Sequence, residues 1–254
     1  MKKHIGIKIF FAVIAIFTML FVGMYIYQEM TKTPSEILLA EAKEAAEFYE
    51  ENLHQALEEK KTGDFVVILN PVHGGTEVGY TSSYGEEQDI VLDICQLVDK
   101  SNNDADVVIL HTRTSDLAIP IEMRDSFIAA IEPDMIIDVC LNKENKVEKY
   151  GTSVYYNTTY FNRKFTNQEF ADVMEKAVVT RIEGIAAGIF EVTDEEKPIL
   201  SGRNVPSVSI ACGNIANDLE AKLFVKEGVQ TNVALGILDG IYQAKEIIEE
   251  AEGK

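Results

Sequence analysis

The sequence predicts an α/β fold: a mainly parallel central sheet with helices on both faces, preceded by an N-terminal transmembrane helix and a helical stalk. Three observations carry this expectation. From Phe65 onward, short apolar β-branched runs alternate with segments of helix length, the pattern of parallel strands covered by helices. Leu38, Ala42, Ala45, Tyr49, Leu53 and Ala56 recur at a spacing of three or four through a stretch free of glycine. Ile9 to Tyr27 carries no charge and would reach about 28 Å as a helix.

The apolar run comes first. Lys2, Lys3 and Lys8 precede it and Glu29 follows, which places the N-terminus in the cytoplasm and the rest of the chain outside. A cleaved signal peptide would have a shorter apolar region ending in small residues, and the nearest Ala-x-Ala, Ala40 to Ala42, lies well beyond. Next, Thr33-Pro34-Ser35-Glu36 reads as a helix start, with a cap, a first-turn proline and a glutamate three residues on. The helix should run to about Lys61, either as a coiled-coil stalk or as a spacer partly docked on the domain. The expected division is 1–30 for basic tip and anchor, 31–62 for stalk, and 63–254 for the folded domain.

Within that domain, strands are expected at Phe65–Leu69, Asp106–His111, Met135–Leu141, Thr152–Tyr156 and Pro206–Ala211. Helices are expected at Glu87–Lys100, Ile119–Ile131, Asn167–Phe190, Asp218–Val225 and Val229–Ala251. Sheets of this kind bind ligands at the carboxyl ends of their strands. Lys and Arg number 23 against 42 Asp and Glu, a formal net charge of −19, so a nucleic-acid backbone would be repelled. The three cysteines form no CxxC cluster, which excludes a disulfide scaffold or a zinc ribbon.

The chemistry-bearing residues sit at strand ends. His73 follows the first strand in Asn70-Pro-Val-His-Gly-Gly75, a tight turn open to close approach. Taken alone, it is an ordinary loop histidine. Glu87, at the next helix start, is by itself an acidic first-turn residue favoured by the helix dipole. Asp138 and Cys140 share one face of the third strand. A carboxylate in that apolar strand needs a partner, either a metal or an arginine such as Arg113 or Arg124. Cys95 falls among apolar helix positions, and Cys212 shares the parity of Ile210, which argues against a Cys140–Cys212 bridge.

In order, Asn70-Pro-Val-His-Gly-Gly75, Glu87-Gln-Asp89, Thr112-Arg113, Asp138-Val-Cys-Leu-Asn142, Gly151-Thr-Ser-Val-Tyr-Tyr156, Pro206 to Asn217 and Glu220-Ala-Lys-Leu223 resemble the motifs of the zinc-dependent N-acetylmuramoyl-L-alanine amidases of bacterial cell-wall turnover. The resemblance runs from about Phe65 to Ala251. It implies a zinc ion on His73, Glu87 and Cys140, where Cys140 stands in the place of a second histidine. Ala211 stands in the place of a catalytic glutamate, and Val72 replaces a glycine. A thiolate can ligate zinc, but alanine can neither take nor give a proton. Asp138 is the candidate surrogate base.

Two readings follow from the resemblance. One is an anchored amidase acting on the bond between the muramic lactyl group and L-alanine, with impaired or altered catalysis. The other is an inactive peptidoglycan-binding or regulatory partner of a hydrolase. The expected partners are peptidoglycan, the bacterial cell membrane through residues 9–27 and a protein through the stalk helix, with no nucleic acid. The expected location is single-pass in that membrane, with the N-terminus cytoplasmic and the domain extracytoplasmic.

Overall fold

The computed structural model describes residues 14, 16–27, 31–143, 150–158, 161–162 and 165–253. It divides into two units, 1–43 and 44–254. In the first, residues 16–27 are helical and exposed. Among the described residues no helix is long and apolar enough to cross a membrane, which corrects the expected single-pass anchor and its location. The described helical run 16–27 rises about 18 Å, short of a hydrocarbon core of roughly 30 Å. Residues 9–13 and 15 of that run lie outside the described residues.

Helix α1, Pro34–Glu59, starts where the sequence places it. Thr33 and Glu36 close the first turn, with the Thr33 N–H donating to Glu36 Oε2 at 2.7 Å. Its course from Glu44 onward belongs to the folded unit. Ala56 is buried against Val66, Ile68, Leu110 and Phe127, with Tyr49 and Leu53 packed beside it. Asn52 Nδ2 also donates to the His111 carbonyl at 2.9 Å. This half of the helix is a docked element of the domain.

The sheet has six strands: β1 Phe65–Pro71, β2 Val107–His111, β3 Met135–Asn142, β4 Thr152–Tyr156, β7 Ala186–Glu191 and β8 Ser207–Asn214. Their order is β2-β1-β3-β8-β4-β7. The pairs β1–β2, β1–β3, β3–β8 and β4–β7 are parallel, and β4 meets β8 antiparallel. The sheet is therefore mixed and mostly parallel. A small ribbon, β5 Phe161–Asn162 with β6 Phe165–Thr166, stands apart.

Alternation along the strands divides the core in two. Val67, Leu69, Ile137, Val139, Val208 and Ile210 face one layer, under helices α2 (Glu87–Ser101), α4 (Asn167–Ile182) and α6 (Glu227–Glu252). Val66, Ile68 and Ile136 face the other, under α1 and α3 (Ile121–Ile131). The short helix α5, Asp218–Phe224, leads from β8 into α6. Each fully buried Val, Ile or Leu stabilises the fold by about 1.5–3 kcal/mol. Helices on both faces are what a mostly parallel sheet requires, because both of its surfaces are apolar.

The segment expected to be one helix from Asn167 to Phe190 divides. A Thr166–Glu169 capping box opens α4, and Glu183 ends it in the left-handed conformation, with Gly184 next. Ala186–Glu191 then pairs with β4 as an edge strand. Its Ala-Ala-Gly-Ile-Phe-Glu composition carries no strong strand pattern, so tertiary pairing decides its state. Cys95, Cys140 and Cys212 are free and buried.

Candidate functional site

At the carboxyl ends of β1, β3 and β8, one face of the sheet presents Asn70, Asp138, Cys140, Ser209 and Ala211. Above them opens a cavity of 520 Å³ whose lining includes His73, Glu87, Arg124, Asp138, Cys140 and Lys197. The position follows the general rule for such sheets.

His73 leaves β1 with φ 62°, a left-handed conformation that costs a non-glycine residue about 1–3 kcal/mol. Two buried arginines hold it there. Arg124 Nη2 donates to the His73 carbonyl at 2.7 Å, and Arg113 Nη2 to the Val72 carbonyl at 2.9 Å. Arg113 Nε and Arg124 Nη1 both donate to the Pro71 carbonyl. Burial pushes both guanidinium pKa values down, that of Arg124 to about 10, and their partners are carbonyls, Asn70 and Thr112 rather than carboxylates. The arginines that sequence reasoning offered to Asp138 serve the His73 turn instead.

Glu87, the first residue of α2, is almost fully buried. Its Oε1 accepts the Leu141 N–H at 2.9 Å and its Oε2 accepts the Tyr80 N–H at 3.2 Å. Oε2 also lies 3.4 Å from His73 Nε2. Burial alone would raise the carboxyl pKa, but bonds from His73, Leu141 and Tyr80 outweigh it and hold the pKa below the usual glutamate value. Gly79 makes room for this pair: a Cβ there would sit 2.5 Å from His73 Cδ2 and 2.8 Å from Glu87 Oε2. Glycine's tolerance of φ 72° permits the approach.

Asp138 and Cys140 form a second group. Asp138 Oδ1 accepts from Asn70 Nδ2 at 2.6 Å, and Oδ2 accepts from Ser209 Oγ at 2.6 Å. Lys197 Nζ stands 3.4 Å from Asp138 Oδ2 and 3.5 Å from Cys140 Sγ. The same ammonium lies 5.6 Å from the centre of the Tyr155 ring. Burial works against the Lys197 cation, but Cys140 and Asp138 more than offset it and raise its pKa above the ordinary lysine value. Burial pushes the Cys140 thiol pKa up, with Lys197 opposing.

The structure brings His73 to Glu87 and brings Cys140 to Asp138, but it does not join the two groups into a metal cage. Among the described residues no three His, Cys, Asp or Glu side chains are placed to hold a metal ion. The third implied donor faces a fixed positive charge, which repels a dication at this range. These residues do not fit zinc. Asp138, with both oxygens engaged, serves as the anchor of Lys197. Ala211, fully buried, lies across from Cys140.

Sequence reasoning missed Lys197. It arrives from the loop before the short 3-10 turn Pro198–Leu200, 57 residues beyond Cys140 in the chain. No local pattern marks it. Ser209, by contrast, lies two residues before Ala211 on the same strand face, so strand parity alone could have found it.

A family model described as N-acetylmuramoyl-L-alanine amidase matches residues 67–243. Comparison with curated protein sequences gives no match. The N-acetylmuramoyl-L-alanine amidase from Clostridium difficile 630 is 25% identical, with a TM-score of 0.65, covering 73% of this chain and 98% of that one. The amidase AmiC2 of Nostoc punctiforme is 20% identical, with a TM-score of 0.66, covering 73% of this chain and 99% of that one. The CwlD amidase from Clostridioides difficile, solved in complex with the GerS lipoprotein, is 20% identical with a TM-score of 0.63, covering 72% of this chain and 100% of that one. At that identity the last two speak for the fold alone.

Proposed function

Because the chain belongs to the N-acetylmuramoyl-L-alanine amidase family, we propose that it is a peptidoglycan-binding member that has given up zinc-dependent amide hydrolysis. One observation carries this reading: the Lys197 ammonium stands against Asp138 and Cys140, putting a cation where the resemblance calls for a metal ligand. Ala211 adds to it, since the position implied for the acid–base glutamate holds a methyl group. Loss of such a group typically lowers the rate ~10²–10⁴-fold. In this reading Asp138 positions Lys197 rather than acting as a surrogate base, and the cavity above the strand ends receives the muramoyl-peptide branch.

A protein partner belongs to the same proposal. Leu38 is 61% exposed and Leu39 is 72% exposed, in the first turns of α1. The solved complex of the CwlD amidase with a lipoprotein offers a precedent for partner binding on this fold.

The test uses the full chain with insoluble peptidoglycan. It should sediment with peptidoglycan, release no stem peptide and carry no stoichiometric zinc by elemental analysis. Stoichiometric zinc together with peptide release would return the chain to the hydrolases. Failure to sediment would remove the binding claim.

A further inference from the structure

A second cavity, of 640 Å³, opens beside the first, and Asn142, Tyr155 and Glu196 line both. Its floor is the β4–β7 pair at the sheet edge. Tyr155 stands opposite Phe190 in the parallel register, with ring centres 5.7 Å apart and planes at 31°. Phe190 remains 45% exposed, and Tyr150, at the rim, 47%. Phe190 is also aimed: its ring folds over Gly188, where a Cβ would lie 3.2 Å from Phe190 Cζ. Large apolar rings left open in a concave site of this size mark a ligand surface.

The lining also says which ligand class fits. Among the described residues it contains the carboxylates Glu191 and Glu196 and no Lys, Arg or His, a lining that disfavours phosphates and other anions. The Tyr155 hydroxyl donates to Asn142 Oδ1 at 2.7 Å, and Asn142 Nδ2 to Ser153 Oγ at 3.1 Å, which gives a neutral polar floor. Aromatic faces carry partial negative charge and attract weakly positive C–H groups, while carboxylates and amides accept and donate to hydroxyls. A pyranose ring has this pair of surfaces: an axial C–H face and a hydroxyl edge.

We propose that the second cavity is a carbohydrate subsite for one or two N-acetylhexosamine units of a glycan strand. Phe190 and Tyr150 form the stacking faces, and Glu191 and Glu196 accept from the hydroxyls. The inference rests on the peptidoglycan reading above and deepens it. The sugar lies in the second cavity, and its peptide branch crosses the shared Tyr155–Asn142 wall toward Lys197.

The experiment is titration calorimetry of the full chain with two probes, N-acetylglucosamine tetrasaccharide and glycan strands stripped of stem peptide, beside sedimentation with intact peptidoglycan. Both probes should bind. Phe190→Ala should weaken binding tenfold or more, Phe190→Tyr should retain it, and thermal unfolding should shift little. Tyr150→Ala, outside the sheet, repeats the test should Phe190→Ala unfold. Unchanged sugar affinity in both alanine variants overturns the subsite. So does intact peptidoglycan binding with no affinity for either probe, which leaves the peptidoglycan reading standing. Failure to bind sugar and intact peptidoglycan alike removes both claims.

Discussion

Cys140 on β3 stands directly across from Ala211 on β8 in the parallel register, the last regular step before the pairing shifts toward Asn142 and Asn214. Two of the positions at which this chain departs from its family's motifs are therefore neighbours on one sheet face. Ser209 links them to Asp138, through a 2.6 Å hydrogen bond to the carboxylate and a 3.6 Å contact with Cys140 Sγ. The departures act as one altered cluster, completed by Lys197.

That relationship predicts how metal binding can be regained. The double change Cys140→His, Ala211→Glu leaves the Lys197 ammonium at the strand ends, so little zinc should bind. Adding Lys197→Met removes the opposing charge, and near-stoichiometric zinc is expected by elemental analysis after dialysis. Equal zinc content in the double and triple variants would show that Lys197 is no obstacle.

Asp138→Ala tests the anchor. The change strips partners from Asn70, Ser209 and Lys197 at a position only 2% exposed. Removing one member of a buried, hydrogen-bonded ion pair costs about 3–5 kcal/mol. Lys197 is partly open to solvent, so the lower end is expected in urea denaturation. A loss under 1 kcal/mol would mean that the cluster relaxes freely.

His111 governs a pH effect. Burial lowers its pKa to about 4, its Nδ1 has no hydrogen-bond partner among the described residues, and its Nε2 lies 4.0 Å from Asp99. The unfolded chain therefore takes up the proton first. Its contribution is full above pH 6.5 and is lost as pH falls from 6.5 toward 4, by up to about 3 kcal/mol. Comparing wild type with His111→Gln in urea at pH 7 and pH 5 should show a steeper loss in wild type. Parallel losses would dismiss the assignment.

Two glycines of α6 should respond with opposite signs. A Cβ on Gly236 would meet Val178 Cα of α4 at 2.7 Å, whereas a Cβ on Gly228 meets nothing within 4 Å. Gly236→Ala should destabilise by about 1–3 kcal/mol through overpacking, despite the better helix propensity of alanine. Gly228→Ala should stabilise by roughly 0.5 kcal/mol. Thermal unfolding of both variants checks the pair.

Much of the site was legible locally. Side-chain alternation is a property of a strand by itself, so the shared face of Asp138 and Cys140 and the opposite parity of Cys212 could be read directly. The ordered motifs also located His73 at the end of β1 and Glu87 at the start of α2. What those side chains do there was not legible. His73 turns to Glu87, while Cys140 and Asp138 turn to Lys197, because a loop between β7 and β8 returns over the strand ends.

The sequence by itself determined the strand and helix alternation, the two-sided burial of the sheet and the acidic balance of the chain, since each is written in composition or in periods of two and near four. Tertiary structure alone decided three other matters. Ala186–Glu191 became a strand because β4 offered an open edge, although its own residues carry no strong preference. The second half of α1 docked, with Ala56 buried in the same cluster as Phe127 and Ile68, where helical spacing left a stalk and a docked spacer both open. And the charge beside Cys140 was set by a lysine distant in sequence, because electrostatics depends on separation in space, which a local pattern does not encode.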